Sequence, residues 1–565
     1  MPGLIIQIAA KEYIKLNILD NVFIILTNKS LDKELVRKII TQNIHNDNDI
    51  IHYLSELSGE LTLIRVHSQG KDCLSIFAFR SITSVYELFY AKTCSNDIIL
   101  SDNFKNVLSI LKKDEREISK EGIIDLFLFQ RNYGDQTYLK NIKRLGHGES
   151  LTIDSQELSF TTKVIQKLET AQREINLEKG IDIIDDILSK YCTDIVNQSF
   201  NYINTLSGGV DSTLLQTYFR NYKNHSLSVA FDTDEFQGDV DYARSASKLL
   251  NSKHTFIKLK EVNYLNELKD AIAILGQPST DISNSIIFNN IFIPHYDFFL
   301  TAIGADIILG LCTGKTLFEI FVEKENQTLA GINKPVTSIE GAASTNFIIA
   351  RPQEVRLIKE LFGMDIVNER LKNRINYVSE RIECNNNHNE RIFEHIEFGH
   401  IMGFFVNNLV SVFRQIGHNY NKMVGSPFIT KELVEVSLLF NISECYATKS
   451  SGTKPILKRL LERKVPFYFT KKPKLGGSLP RTRFCESGPL KDYFNSHNTP
   501  DFITGKFKNI VKNPTWDNSW IVLYSIIFSV WDDIIFKNDN IEVTKNCQEF
   551  YWNMHNYATT NNLYK

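Results

Sequence analysis

Short apolar runs separated by turn-forming residues fill the first part of the chain. The runs 4–8, 22–26, 61–66, 74–79, 87–91 and 98–100 are each long enough for one strand and too short for a helix, so they predict a sheet-rich or mixed layer. Helical spacing interrupts them at 103–111 and at 119–130, where Ser119 can cap and Glu121 adds negative charge to the first turn. A last strand is expected at 149–153.

The stretch 160–177 is polar, mixed and without a period, which predicts a connection and hence two domains, 1–165 and 176–565. Beyond it the pattern becomes an alternation: helix 180–198, strand 202–206, a glycine loop, helix 212–222, strand 227–231 and helix 238–250. Strands alternating with helices call for a parallel sheet covered on both faces, so the fold class is α/β. After residue 351 the spacing is mostly helical, at 354–362, 392–416 and 431–439. The apolar run 298–312 is broken by Asp306 and reads as a helix end leading into a buried strand.

Composition narrows the class. With 565 residues, 43% hydrophobic and 23% charged, the chain has the make-up of a folded soluble protein with more than one core. Its 64 Lys and Arg against 66 Asp and Glu create no field that would draw in nucleic acid or an anionic membrane, so neither is an expected partner. The eight cysteines include no C-x-x-C pair, which favours reduced thiols and a cytoplasmic setting over zinc or disulfides. The N-terminus lacks the basic flank and cleavage site of a secretory signal. The run 298–312 is shorter than the roughly 20 residues of a membrane span.

The chemistry is concentrated at Leu206-Ser207-Gly208-Gly209-Val210-Asp211-Ser212, between a predicted strand and a predicted helix. There, backbone N–H groups and the helix dipole favour phosphate, and glycines let the main chain approach it closely. The serines can donate hydrogen bonds, and Asp211 can hold the Mg²⁺ that accompanies ATP. With no lysine after the glycines, this is not a P-loop of the G-x-x-x-x-G-K-[ST] type.

The S-G-G-x-D-S pattern resembles the pyrophosphate loop of N-type ATP pyrophosphatases, and its surroundings resemble the asparagine synthetase superfamily. Val229-Ala230-Phe231 and Asp241-Tyr242-Ala243-Arg244 are similar to that family's second strand, whose main chain at Val229 and Phe231 would cradle adenine, and to the helix after it. Gly425-Ser426-Pro427-Phe428-Ile429-Thr430 resembles its PFLD signature, with Thr430 in place of the usual Asp. Lys454-Pro455-Ile456-Leu457-Lys458-Arg459 and Lys472-Pro473-Lys474-Leu475-Gly476 resemble its closing K-x-x-L-R and R-x-K-x-G motifs. The resemblance implies an Ntn-hydrolase-like αββα sandwich followed by a PP-loop (HUP-type) parallel-sheet domain with a helical extension. It also implies ATP and Mg²⁺ as cofactors, Asp211 as a metal ligand, and Lys474 as a catalytic cation beside the adenylate.

The first domain resembles a class II glutamine amidotransferase in Leu57-Ser58-Gly59-Glu60-Leu61, Arg80, Ile98 to Asp102, and Gly146-His147-Gly148. Such glutaminases use a cysteine at position 2, where this chain has Pro2, so no glutaminase activity is expected. That directs the reading toward relatives that close an amide within one substrate, the β-lactam synthetases and the lasso-peptide cyclases. The expected activity is an AMP-forming carboxylate–amine ligase acting on a peptide or small-molecule substrate, with a leader peptidase or peptide-binding partner among the partners such systems use.

The family's G-x-G-x-D-E-L-F motif is aligned with Gly310 to Phe318, where Gly314, Lys315 and Thr316 stand in place of its acidic pair. Asp306 or Glu319 is then the nearest substitute carboxylate, and His418 and Tyr420 are candidates for the base by residue type. The apparent loss keeps two alternatives open: a scaffold that has lost catalysis, and an ammonia-dependent asparagine synthetase.

Overall fold

A computed structural model describes residues 3–27, 31–68, 74–132, 134–154, 157–198, 200–278, 282–309, 352–383, 409–445, 454–466, 481–515, 518–537, 541–544 and 547–553. It is a mixed α/β protein with antiparallel and parallel sheets. Two compact units are formed, one from 1–123, 132–168 and 538–565, the other from 124–131 and 169–537.

The first unit contains β1 (Gly3–Ile8), β2 (Tyr13–Ile18), β3 (Asn21–Thr27), β4 (Leu61–Ser68), β5 (Leu74–Arg80), β6 (Phe89–Lys92), β7 (Ile98–Ser101), β8 (Ile142–Arg144), β9 (Glu149–Asp154), β10 (Ser159–Val164) and the late strand β18 (Gln548–Asn553). One sheet is antiparallel, in the order β10-β9-β5-β4-β3-β2, and the other runs β18-β1-β7-β6-β8. Helices α1 (Lys33–Gln42) and α2 (Asp47–Leu57) pack on the six-stranded sheet, joining Val36, Ile40, Ile50 and Leu54 to Phe23, Ile25, Leu63 and Phe79. The intervening positions Ile24, Leu26, Ile64 and Ala78 are also buried, so the sheet is covered on both faces.

Three expectations change here. Helices α1 and α2 were not anticipated, although Asp32 and Asn46 cap them by accepting from the first-turn amides. The polar stretch assigned to the connection begins with strand β10, which forms a hairpin with β9. The expected second domain, 176–565, extends to the C-terminus, whereas β18 pairs with β1 because the alternating Gln548-Glu549-Phe550-Tyr551-Trp552 supplies one face to cover.

In the second unit α5 (Leu177–Asn197), β12 (Tyr202–Thr205), α6 (Val210–Thr217), β13 (His225–Phe231), α7 (Asp234–Leu249), β14 (Lys253–Leu259), α8 (Tyr264–Leu275), α9 (Ile282–Ile291), β15 (Phe298–Leu300), α10 (Ala305–Ile308) and β17 (Met423–Gly425) follow in order. The two-residue strands β11 (Leu168–Glu169) and β16 (Ile382–Glu383) lie outside the parallel sheet. That sheet has the order β14-β13-β12-β15-β17, every neighbouring pair parallel. Alternation of side chains splits its core in two. Tyr202, Phe298, Leu300 and Met423 pack against Cys192, Ile195, Leu215 and Phe219 on one face. Ile203, Phe299 and Val424 pack against Leu275, Phe288, Phe413 and Ile416 on the other. Strand order reverses at β12, which has a later-numbered strand on each side, and ligands of open parallel sheets bind beyond the strand ends at such a point.

In the described part of the run, 298–309, the order is the reverse of the expected one: the strand comes first and the helix second. Phe298 to Leu300 is held between β12 and β17, and Gly304 at φ +105 then turns the chain into α10. The helix Ser519–Lys537 is long and apolar enough to cross a membrane, but 78% of its most apolar window is buried inside the protein. Trp531 on it donates from Nε1 to Gly276 O at 2.9 Å, as in a core helix.

His254 on β14 bridges two hydroxyls of β13, Ser226 to Nδ1 at 2.9 Å and Ser228 to Nε2 at 3.0 Å. Burial, with Arg244 adding to it, holds its pKa below the ordinary value. The unfolded chain therefore takes up the proton first as pH falls, and stability present above the unfolded pKa is lost on acidification. We expect the thermal midpoint to fall between about pH 7 and about pH 5.5, with a shallower slope in His254→Asn, measured by circular dichroism.

Candidate active site

Leu206 extends β12 by one bond, its N–H donating to Leu227 O at 2.8 Å, and the chain then leaves the sheet. Ser207 N–H donates to Ser212 Oγ at 3.1 Å, the two serine hydroxyls lie 3.0 Å apart, and Gly209 N–H donates to Ser207 Oγ at 3.3 Å. These bonds tie the loop to the first turn of α6. Below them buried Asn204 donates to Ser212 O at 3.2 Å and to Gln216 Oε1 at 2.9 Å, fixing α6 to its strand.

The two glycines have different causes. Gly208 has φ +75, and a Cβ there would lie 2.2 Å from the carbonyl carbon of Tyr242, so the close approach of α7 already demands glycine. At Gly209 a Cβ would meet only Ser207 Oγ, at 3.4 Å. The protein leaves space at Gly209, directly ahead of the helix N-terminus, where amides and dipole favour an anion.

Asp211 lies in the first turn of α6, after β12, and Asp306 in the first turn of α10, after the adjacent parallel strand β15. Both carboxylates thus reach the same carboxyl-terminal edge. Lys454 stands between them, its Nζ on Asp211 Oδ2 and 2.5 Å from Asp306 Oδ1. Burial alone would lower the lysine pKa, but the charges and hydrogen bonds of Asp211 and Asp306 outweigh it and hold the ammonium well above its usual range.

Lys454 is placed by the helix Pro455–Lys464, whose Ile456, Leu457, Leu460 and Leu461 are buried and whose Pro455 suits a first helical position. Its far end is clamped to α5 by Arg463 on Asp182 at 2.7 Å and by Lys464 on Asp185 at 2.7 Å. Lys454 itself is left-handed, φ +57, an unfavourable backbone state of about 1 kcal/mol or more for a residue with a Cβ.

Asp306 is supported in turn. A Cβ on Gly304 would lie 2.7 Å from Ile429 Cγ2, so the turn packs against the segment Pro427–Ile429. Ser426 donates to Ile303 O at 2.6 Å, and Thr301 N–H to Gly425 O at 3.0 Å. Thr430, in place of the expected Asp, caps the next helix by accepting from Leu433 N–H.

Val229 and Phe231 turn their side chains into the protein, Phe231 against Tyr264 and Phe484. Because Leu227 O faces β12, the pleat carries the main-chain groups of Val229 and Phe231 to that same side, past the point where β12 leaves the sheet. On α7, three residues before Tyr242, Asp239 buries Oδ2 with no hydrogen-bond partner among the described residues. Burial raises its pKa.

Asp306, named from the sequence only as a nearby substitute carboxylate, is brought beside Asp211, and Lys454, quoted only within a motif, joins them. The acidic motif aligned with Gly310 to Phe318, including Gly314, Lys315 and Thr316, lies outside the described residues, as do Lys474 and Pro2. Gly304-Ala305-Asp306, directly after β15, brings a carboxylate to the edge of the sheet where Asp211 stands. His418 and Tyr420 precede β17 and stand at the opposite, amino-terminal edge of the sheet, where Met423 N–H donates to Asp297 O. Tyr420 there donates to Asn289 Oδ1 at 2.7 Å.

Gly208→Ala is expected to destabilise the protein by about 2 kcal/mol or more, read from denaturant unfolding, because positive φ and a backbone clash coincide. Asp239→Asn is expected to stabilise it slightly at neutral pH, by well under about 1 kcal/mol, by removing a half-buried charge that solvent partly screens. The wild-type Asp239 contribution is favourable below its ordinary pKa and is lost as pH rises through the raised folded value, a slope the variant should lack.

No curated protein matches the chain. Residues 194–312, which run from the end of α5 past Asp211 and Asp306, match the family model described as asparagine synthase, whose members are ATP-dependent ligases. The match covers that segment alone, so it is these residues that are similar to the asparagine synthase family.

Proposed function

We propose that this protein activates a carboxylate with ATP and joins it to an amine of the same substrate, releasing AMP and pyrophosphate and closing a lactam or macrolactam in the manner of lasso-peptide cyclases. The observation that carries the ATP chemistry is the meeting of Asp211, Asp306 and Lys454 beside the glycine loop, at the reversal of strand order. In the first step a substrate carboxylate oxygen attacks the α-phosphorus, the bond to the β-phosphate oxygen breaks, and pyrophosphate leaves. In the second the amine attacks the acyl carbon, AMP departs with the C–O bond electrons, and the amine gives up a proton.

Each residue has a chemical task in that scheme. The loop amides and the N-terminus of α6 hold the departing pyrophosphate, and the main chain of Val229 and Phe231 faces the nucleotide base. Lys454 stays protonated and offsets negative charge on the phosphates and the developing oxyanion. Lys474 is proposed as a second cation of this kind, on the resemblance alone.

Asp211 and Asp306 suit Mg²⁺, a hard cation usually held by one or two carboxylates with substrate phosphates and water completing the shell. The fit is supported by their oxygens already converging on a cation; among the described residues no group of three or more His, Cys, Asp or Glu could hold a metal alone. When bound, the ion would neutralise phosphate charge.

The first unit is proposed as a frame derived from an amidotransferase, without glutaminase activity. Its matching residues serve internal bonds. Arg80 donates to Ser84 O at 2.9 Å and Leu145 O at 3.1 Å, and Asp102 accepts from the amides of Ala9 and Ala10 at 2.7 Å each. The scaffold reading rests on the loss of the acidic pair and on Pro2, and Asp306 beside Asp211 favours the ligase over it.

Titration calorimetry with MgATP tests the proposal. Binding to the wild type, weakened about tenfold or more in Asp211→Asn and in Asp306→Asn, is expected. With a peptide bearing a free N-terminal amine and an Asp or Glu side chain, AMP should appear and the peptide should lose one water in mass. No MgATP binding by the wild type would overturn the nucleotide reading, and ADP in place of AMP would overturn the adenylation step.

A further inference from the structure

The cation held by the two carboxylates is a side chain of the protein itself. Lys454 Nζ is buried and contacts Asp211 Oδ2 and Asp306 Oδ1, so it occupies the space between the oxygens that the proposed reading assigns to a divalent ion. An ammonium and a divalent cation cannot share those oxygens without strong repulsion in a site of low dielectric.

Resting on the reading above, we propose that Lys454 is a resident counter-ion that must leave Asp211 and Asp306 when the metal enters, so that loading the metal and releasing the lysine amine are one event. Three observations fit such an exchange. The ammonium neutralises a carboxylate pair that would otherwise be a buried like-charge contact. The left-handed backbone of Lys454 is held against its intrinsic preference, which lowers the cost of moving it. The helix behind it is clamped at its far end by Arg463 and Lys464, so movement is confined to the Lys454 end.

The exchange dictates an order. Free divalent cation competes with a tethered ammonium and loses, whereas cation arriving on nucleotide phosphates brings its own compensating negative charge and wins. The displaced ammonium is then delivered beside those phosphates. Metal affinity without nucleotide is thereby held down by the same residue that nucleotide requires.

The test measures free Mn²⁺ by electron paramagnetic resonance for the full chain as wild type, Lys454→Met and Lys454→Arg, with and without a non-hydrolysable ATP analogue. Without nucleotide, Lys454→Met should bind Mn²⁺ about tenfold more tightly or better than the wild type, while Lys454→Arg, which keeps the charge, should stay weak. Mg²⁺ should raise the thermal midpoint of Lys454→Met more than that of the wild type, a readout that serves even where the variant is poorly stable. Equal Mn²⁺ affinity of wild type and Lys454→Met without nucleotide, together with normal binding in its presence, would overturn the exchange and leave the ligase reading intact. No Mn²⁺ binding by any form, with or without the analogue, would overturn both.

Discussion

Two carboxylates and an ammonium meet at the carboxyl-terminal edge of a parallel sheet, the lysine buried and both carboxylates partly so. The ammonium could not be there alone, because a lone buried charge costs several kcal/mol. Much of the second unit can be understood as what brings them together. Adjacent parallel strands deliver Asp211 and Asp306 to one edge, and a helix anchored at its other end delivers Lys454 across a sequence separation of 243 residues. The glycine loop needs the same framework, since Gly208 survives only where α7 passes against it.

The arrangement also explains why polarity is tolerated so deep in the sheet. Asn204 and Gln216 are buried yet bonded, and they hold α6 square to the strand that precedes the loop. Ser207 and Ser212 close the loop on itself, so its amides keep their direction before any ligand arrives. Asn204 Oδ1 and, on α7, Asp239 Oδ2 are buried oxygens with no hydrogen-bond partner among the described residues.

What could be read from the sequence followed the range of the interactions. The loop is local, with strand, glycines, acid and helix in one short stretch, and it appears where it was expected. From the sequence Asp306 is only one of two nearby substitute carboxylates, because β15 is three residues long within a mainly apolar run and periodicity cannot separate strand from helix there. Lys454 gave a motif and no role, since its role depends on carboxylates far away in sequence. Strand β2 alternates Ile14, Leu16 and Ile18 with other residues, and α1 and α2 space Val36 from Ile40 and Ile50 from Leu54 by four behind the caps Asp32 and Asn46, signals weaker than an unbroken apolar run.

The pairing of Gly3 with Asn553 has a consequence for how the protein is made. The first unit emerges from the ribosome early, but one edge of its sheet waits for residues synthesised after the entire second unit. Closing so long a loop adds entropy only logarithmically, so the equilibrium cost is small, yet the delay is long, since synthesis proceeds at roughly 5–20 residues per second. Until then β1 presents an open edge on the nascent chain, the kind of edge that invites wrong partners. Assembly of the first unit is therefore completed only after the second unit has been synthesised, which makes β18 a late latch on the sheet that β1 begins.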